Sequence, residues 1–209
     1  MDDIIFFMNN FSNKVSTIKK LDGRKQRSSQ SSDLIAQATI DIINSGNLNP
    51  TAKEVAAKAG LGTRTVFRQY TDMDDLYLRI HNIMMQKFRG NNELVHLNQS
   101  SLNERAEKLL HSFITGYEAN ENIIRVTISR MHLSERLTHN HKEFLGLVSS
   151  FILTHLPELR TINSIKRENV IFEFSPSKWF ALKSFHQYDN KVIRKMLLLS
   201  IKDLISKIL

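Results

Sequence analysis

Arg64 and Arg68 stand four residues apart, with Thr63 and Thr65 on either side of the first, in the run Gly60-Leu-Gly-Thr-Arg-Thr-Val-Phe-Arg-Gln-Tyr70. The polar side chains of this run offer N–H or O–H groups, and none is a carboxylate. That is the chemistry for meeting an anion or the acceptor edge of a base. Arginine can bind guanine O6 and N7 with two hydrogen bonds, and a cation one turn further along can neutralise a phosphate. To act together, such side chains need one exposed face of a helix whose other face is anchored.

The flanking residues supply that helix and its support. Thr51 precedes Glu54 by three residues, a capping box, and Pro50 helps exclude an earlier start. Val55, Ala56 and Ala59 form a buried stripe, with the small Ala56 where a second helix crosses closely. Gly60 occupies the left-handed position that ends this first helix, and Leu61 plugs the corner. A second helix opens at Gly62 or Thr63, with Val66, Phe67 and Tyr70 expected inward and Thr63, Arg64, Thr65 and Arg68 outward. This is a helix-turn-helix, whose second helix enters the major groove of DNA. The competing reading is an ordinary helical hairpin. The glycine turn with apolar residues at both offsets, the acid-free outer face and the preceding basic segment argue against it.

Composition supports an all-α protein: 209 residues carry only three prolines and seven glycines, with 41% hydrophobic and 24% charged residues. The net charge of +8 is unevenly spread, for ten basic side chains face four acidic ones between Asn10 and Tyr70. A polyanionic partner fits that asymmetry. There is no cysteine, so disulfides and thiolate metal sites are excluded. The start, Met-Asp-Asp-Ile-Ile-Phe-Phe-Met, is acidic where a secretory signal is basic, and no window has the length of a membrane span. A soluble, cytoplasmic protein is expected.

Residues 1–30 read as a flexible basic arm, with Arg24, Lys25 and Arg27 placed to touch phosphates or a minor groove. A first helix is expected from Ser31 or Ser32, with Leu34, Ile35, Ala38, Ile42 and Ile43 on its apolar face as far as Gly46. A fourth begins at Thr71 with Asp74 as its box partner and runs through Met73, Leu76, Tyr77, Ile80, Ile83 and Met84 towards Phe88. Residues 31–88 thus make one DNA-binding unit, and Arg89-Gly-Asn-Asn-Glu marks the boundary with a second helical domain, 89–209. There, helices are expected over 101–119, 121–131, 134–155, 163–188 and 189–208. The last is too apolar for a lone surface helix, which predicts a homodimer joined through the last two helices.

The run Gly60–Tyr70, followed by Asp72-Met-Asp-Asp-Leu-Tyr77, resembles the signature of the TetR family of transcriptional regulators. Ser175-Pro-Ser-Lys-Trp-Phe-Ala-Leu182, before an apolar last helix, is more loosely similar to the dimerising end of its members. The resemblance implies a homodimer on a palindromic operator in double-stranded DNA, acting as a repressor that a small molecule releases. It places Thr51 near phosphate, Thr63, Arg64 and Thr65 at the groove, and Phe67, Arg68 and Tyr70 along its edge or underside. Two departures stand out. Gly62 and Phe67 take positions where the family often has serine and tyrosine, and Met73 replaces a common lysine, so hydrogen bonds to phosphate are missing and binding leans on the arm, Lys53 and Arg68.

Other constellations are weaker. His132, His139 and His141 do not share one helix face, so a polar interhelical region is expected and no metal. Phe113, Tyr117, Phe144 and Phe151 are candidates for lining a pocket for a small apolar effector, with core packing as the competing reading. Trp179, Leu197, Ile201 and Leu204 are candidates for the dimer interface. No glycine-rich phosphate loop, nucleophile elbow or paired-carboxylate signature occurs, so neither an enzyme nor a cofactor is expected. A DNA-binding dimer governed by a protein partner, or by no effector, is the alternative.

Overall fold

The computed structural model describes residues 23–90 and 100–206, and in these there are ten α-helices, one 3-10 turn and no strand. Helix α1, Gly23–Asn44, starts well before the expected Ser31 or Ser32. Neither serine caps it. Ser31 Oγ donates back to the Arg27 carbonyl at 2.9 Å, and Ser32 Oγ meets the Tyr70 hydroxyl at 2.7 Å. The polar segment 23–30 is therefore helical and not an arm, because contacts distant in sequence hold it; residues 1–22 lie outside the described part. The buried face of α1 keeps Ile35, Ala38 and Ile43 as expected, with Ile42 half-buried, and differs at Leu34. Ile35, Ala36, Thr39, Ile40 and Ile43 turn inward, while Leu34 is 52% exposed.

Helices α2, Ala52–Ala59, and α3, Thr63–Gln69, form the expected hairpin, and α4 follows over Met73–Gly90. The cap of α4 is shifted by one residue from the Thr71–Asp74 pair. The Asp75 N–H donates to Asp72 Oδ1 at 2.8 Å, and the Thr71 N–H donates to Asp75 Oδ2 at 2.9 Å.

The rest of the chain forms α5 (Leu102–Ala119), α6 (Glu121–Met131), α7 (Glu135–His155), a 3-10 turn (Pro157–Arg160), α8 (Ser164–Glu173), α9 (Pro176–Ser184) and α10 (Asn190–Ser206). The single helix expected over 163–188 is thus two. Ser175 caps α9, accepting from the Lys178 N–H at 3.1 Å, and Pro176 follows at the first turn, where its missing N–H leaves no bond unmade. Such a start signal inside an apolar run outranks the run's continuity.

Two cores result. One joins Ile35, Ile43, Val55, Val66, Tyr70, Leu76 and Ile80, and takes in Ile123, Val126 and Leu137 from α6 and α7. The other fills the space among α5, α7, α8, α9 and α10, around Phe113, Ile152, Phe174, Trp179 and Ile193, with Phe88 of α4 packed against it. Helix α4 serves both, so the head (α1–α4) is built onto the body (α5–α10). Arginines reinforce the seam. Arg136 of α7 bonds the Asp75 carboxylate and donates to Asp72 at 3.0 Å, and Arg130 of α6 pairs with Asp74 at 3.9 Å, lies 4.4 Å over the Tyr77 ring and bonds Asn49. These ion pairs are half-exposed, so each contributes only about 0–1 kcal/mol.

Further along the seam, His81 of α4 and His141 of α7 are each 8% exposed, with ring centroids 6.2 Å apart and Phe144 against both. The region of His141, expected to be polar, instead encloses that side chain. Burial, and then the neighbouring His141, push the His81 pKa down to about 4, and burial lowers that of His141. Well above pH 6.5 both imidazoles are neutral in the folded and unfolded chains alike. Between pH 6.5 and about 4 only the unfolded chain takes up the His81 proton, so stability falls as pH falls through that window. We expect urea denaturation to show this loss, on the order of 2–3 kcal/mol. His81→Phe should flatten the slope over the same window; an unchanged slope would assign the titration elsewhere.

Candidate nucleic-acid interface

Seven residues make α3, too short a helix to persist alone, so its orientation comes from its two ends and its buried stripe. At the entrance Gly60 adopts φ 67° and ψ 30°. Its N–H donates to the Ala57 carbonyl at 3.2 Å, and the Leu61 N–H donates to Ala56 at 2.9 Å, the paired bonds of a Schellman turn. Glycine takes this left-handed conformation without strain, which is why the corner requires it. Gly62 then stands at the N-cap with extended backbone and no side-chain bond to the first turn.

The buried stripe is Val66 and Tyr70, 2% and 7% exposed. Tyr70 Oη donates to the Ser32 carbonyl at 3.1 Å and pairs with Ser32 Oγ; its burial raises the phenol pKa above its ordinary value. One residue back, Gln69 Nε2 donates to Ser28 Oγ at 3.1 Å. These bonds clasp the end of α3 to α1. Sequence reasoning missed Ser28, Ser32 and Gln69. A polar run rich in serine carries no local mark of partners some forty positions away.

With Val66 and Tyr70 inward, the helical turn of about 100° per residue sends Arg64 and Arg68 to the opposite side; Phe67 on the flank and Thr63 in the first turn are exposed as well. Thr65 is half-buried at the margin. Two expectations change. Phe67, expected inward, is 57% exposed, because a helix this short anchors through a single stripe that passes it by. Tyr70, placed along the groove by the resemblance, is buried with its hydroxyl engaged.

On α2, Lys53 is exposed and Thr51 forms the capping box as expected. The Thr51 hydroxyl accepts from the Glu54 N–H at 3.3 Å and donates to Glu54 Oε2 at 2.7 Å. Bonds from the Thr51 side chain and backbone hold the Glu54 carboxyl below its ordinary pKa. The exposed Arg27 lies on α1 one residue before Ser28, beside the end of α3; Arg24 and Lys25 begin the same helix, with side chains outside the described part. Lys53 on α2 and Thr63, Arg64, Phe67 and Arg68 on α3 are all open to solvent.

The other candidate residues fall in the body. Phe113 and Tyr117 are buried, and Phe144 and Phe151 half-buried, in a continuous stack. Phe88 lies 5.1 Å from Phe151 and 5.8 Å from Phe113, Phe113 lies 5.8 Å from Phe174, and Tyr117 lies 5.6 Å from Trp179. Tyr117 Oη donates to the Phe174 carbonyl at 2.5 Å. None of the four lines either of two surface clefts, one of about 440 Å³ beside Leu78, Asn82, Glu135 and Asn140, the other of about 540 Å³ beside Gln30, Asp33 and Leu34.

Trp179, Leu197 and Ile201, placed at a dimer interface by sequence, are 0–2% exposed inside the protomer's own core, and Leu204 is half-buried. Apolar groups that do reach the surface include Val192, Met196 and Leu199, at helical spacing on α10, and Ile165 and Phe172 on α8; Leu133, Phe185 and Tyr188 are exposed between helices. Helix α10 carries more apolar residues than its core face needs, because one face fills the core while Val192, Met196 and Leu199 are left bare. His132 and His139 are exposed and apart from His141, and no group of three or more histidines and carboxylates able to hold a metal ion occurs among the described residues. None of the described helices is long and apolar enough to cross a membrane.

No protein-family profile matches the chain, and no curated protein matches it in sequence. Its shape does have counterparts. A transcriptional regulator from Rhodococcus sp. Rha1 superposes with a TM-score of 0.64 at 16% identity, covering 85% of this chain and 97% of its own. A Syntrophomonas wolfei protein described as a TetR-family transcriptional regulator gives 0.65 at 14% identity, covering 84% and 95%. A TetR transcription regulator from Haloarcula marismortui gives 0.63 at 13% identity, covering 84% and 96%. Over most of its length the chain has the all-helical fold of TetR-family regulators, a helix-turn-helix head on a helical body.

Proposed function

We propose that this protein is a sequence-specific DNA-binding transcriptional regulator that works as a cytoplasmic homodimer on a palindromic operator and represses by occupying it. The observation that carries this reading is the outer face of α3. Thr63, Arg64, Phe67 and Arg68 are all exposed, none is acidic, and the helix is held from behind by Val66 and Tyr70. A rigid, cationic, solvent-facing helix of this kind fits a major groove. Thr63, Arg64 and Thr65 occupy the turn that reaches base edges, while Lys53 and Arg68 reach the phosphates, with the exposed Arg27 adding positive charge near the start of α1. Thr51 and Gly62 set the first turns of α2 and α3, where backbone N–H groups face the phosphates.

Dimerisation is assigned to the exposed stripe Val192, Met196 and Leu199 with Ile165 and Phe172, joined at its margin by Leu204. A second copy of the chain covers such a stripe through a two-fold contact, which pairs the two heads for two half-sites. Leu197 and Ile201 support this surface from within.

Release by a small apolar effector places the ligand among Phe113, Tyr117, Phe144 and Phe151, near the end of α4. Their mutual packing requires the ligand to displace rings, and this closure favours a second reading, in which the body answers to a protein partner or to no effector. A thermal-shift screen of apolar compounds, followed by operator titration, separates the two. A compound that raises the melting temperature and weakens operator binding at least several-fold supports release, and a screen without one supports the second reading.

Selection of bound sequences from random duplexes should return a palindrome. On that operator, Arg64→Ala should relax preference at one base pair of each half-site, a change of about 1–3 kcal/mol in discrimination. Lys53→Ala and Arg68→Ala should weaken binding to all duplexes alike and reduce the salt slope by roughly one for each phosphate no longer neutralised. Uniform weakening in Arg64→Ala would make that residue a phosphate ligand. Leu199→Asp should give a folded monomer by light scattering, with operator affinity reduced by at least an order of magnitude. Leu197→Asp should instead unfold the body, since it buries a charge. A Leu199→Asp protein that stayed dimeric would move the interface elsewhere.

A further inference from the structure

We infer that Phe67 is a specificity-determining residue that reads thymine, its ring covering the 5-methyl group of a thymine one or two base pairs from the guanine met by Arg64. The inference rests on the DNA-reading role of α3 proposed above, and adds a contact that hydrogen bonding does not provide.

Phe67 is 57% exposed although Val66, beside it, is 2% exposed. It is not surplus core, because the inward stripe of α3 is complete with Val66 and Tyr70. A single exposed apolar side chain is ordinary on a protein surface. What sets this one apart is its place on a seven-residue helix, three residues after Arg64 and next to Arg68 in sequence, on the flank of the outward cationic face. A helix that enters the groove on Arg64 and Arg68 takes Phe67 in with them.

The ring has no donor or acceptor, so it gains nothing from a phosphate or from the polar edges of guanine, adenine or cytosine. The one apolar group displayed in the major groove is the thymine methyl, and phenylalanine is among the side chains that meet it. Covering it removes apolar surface of both groups from water. The spacing follows from the helix. Side chains at i and i+3 have Cβ atoms roughly 5–6 Å apart, and successive base pairs rise about 3.4 Å, so the guanine and the methyl lie about one or two steps apart.

The test uses the full-length protein and the selected operator. Each thymine of one half-site is replaced in turn by deoxyuridine, which deletes only the methyl group. At one thymine, within two base pairs of the position relaxed by Arg64→Ala, wild-type affinity should fall roughly three- to fivefold. Phe67→Ala should bind the thymine and deoxyuridine duplexes equally, with a melting temperature close to wild type because the ring is exposed. Phe67→Leu should recover part of the thymine preference. Three results overturn the inference: wild type indifferent to deoxyuridine at every thymine, Phe67→Ala retaining the full deoxyuridine effect, or a selected half-site with no thymine within two base pairs of the Arg64 position. Failure to select any duplex is a different outcome, which removes the DNA-binding reading itself and this contact with it.

Discussion

A seven-residue helix does not hold its conformation in water, and everything the candidate interface does depends on how α3 is held. Three features hold it. The Schellman turn at Gly60 sets the angle at which it leaves α2. Val66 inserts between α1 and α2 in the core they share. Tyr70 closes the far end, its ring in that core and its hydroxyl on Ser32. The phenol is the most constrained of these groups, since its hydroxyl must find a partner at the bottom of an apolar site. With both ends and one stripe fixed, the opposite face becomes a rigid array. Such an array loses little conformational entropy when it meets a rigid partner.

Helix α4 then ties this array to the body. Its first turns bury Leu76, Tyr77 and Ile80 in the head core, and its last described turns bring Phe88 against the body core. A displacement of α4 in either core is felt in the other, because neither is compressible. The groups along the seam are of unequal strength. Arg130 and Arg136 make half-exposed ion pairs that hold register more than they add stability. The enclosed His81 and His141 are costly to charge, so the seam is most secure with both imidazoles neutral.

The body shows how one composition serves two purposes. Its aromatic side chains pack against one another from Phe88 through Phe113 to Phe174, and Tyr117 continues the stack to Trp179, which gives the body a dense interior. Helix α10 contributes Ile193, Leu197, Ile201 and Ile205 to that interior and leaves Val192, Met196 and Leu199 on its surface. The inner set decides whether the protomer folds. The outer set is available to decide what it associates with.

Local chemistry was legible in the sequence wherever a bond spans only a few residues. The Thr51–Glu54 box, the left-handed Gly60 and the outward placement of Arg64 and Arg68 all follow from spacings of four residues or fewer, so the helix-turn-helix could be read directly. What lay beyond that range was decided by tertiary structure. Residues 23–30 are helical because Ser28 and Ser32 find Gln69 and Tyr70. Leu34 and Phe67 face solvent although both are apolar, since periodicity narrows the choice of buried face without selecting it. Leu197 lies inside and Leu199 outside on one apolar helix for the same reason. Apolar residues at helical spacing say that a face will be buried. Which face, and against what, is fixed only when the other helices arrive.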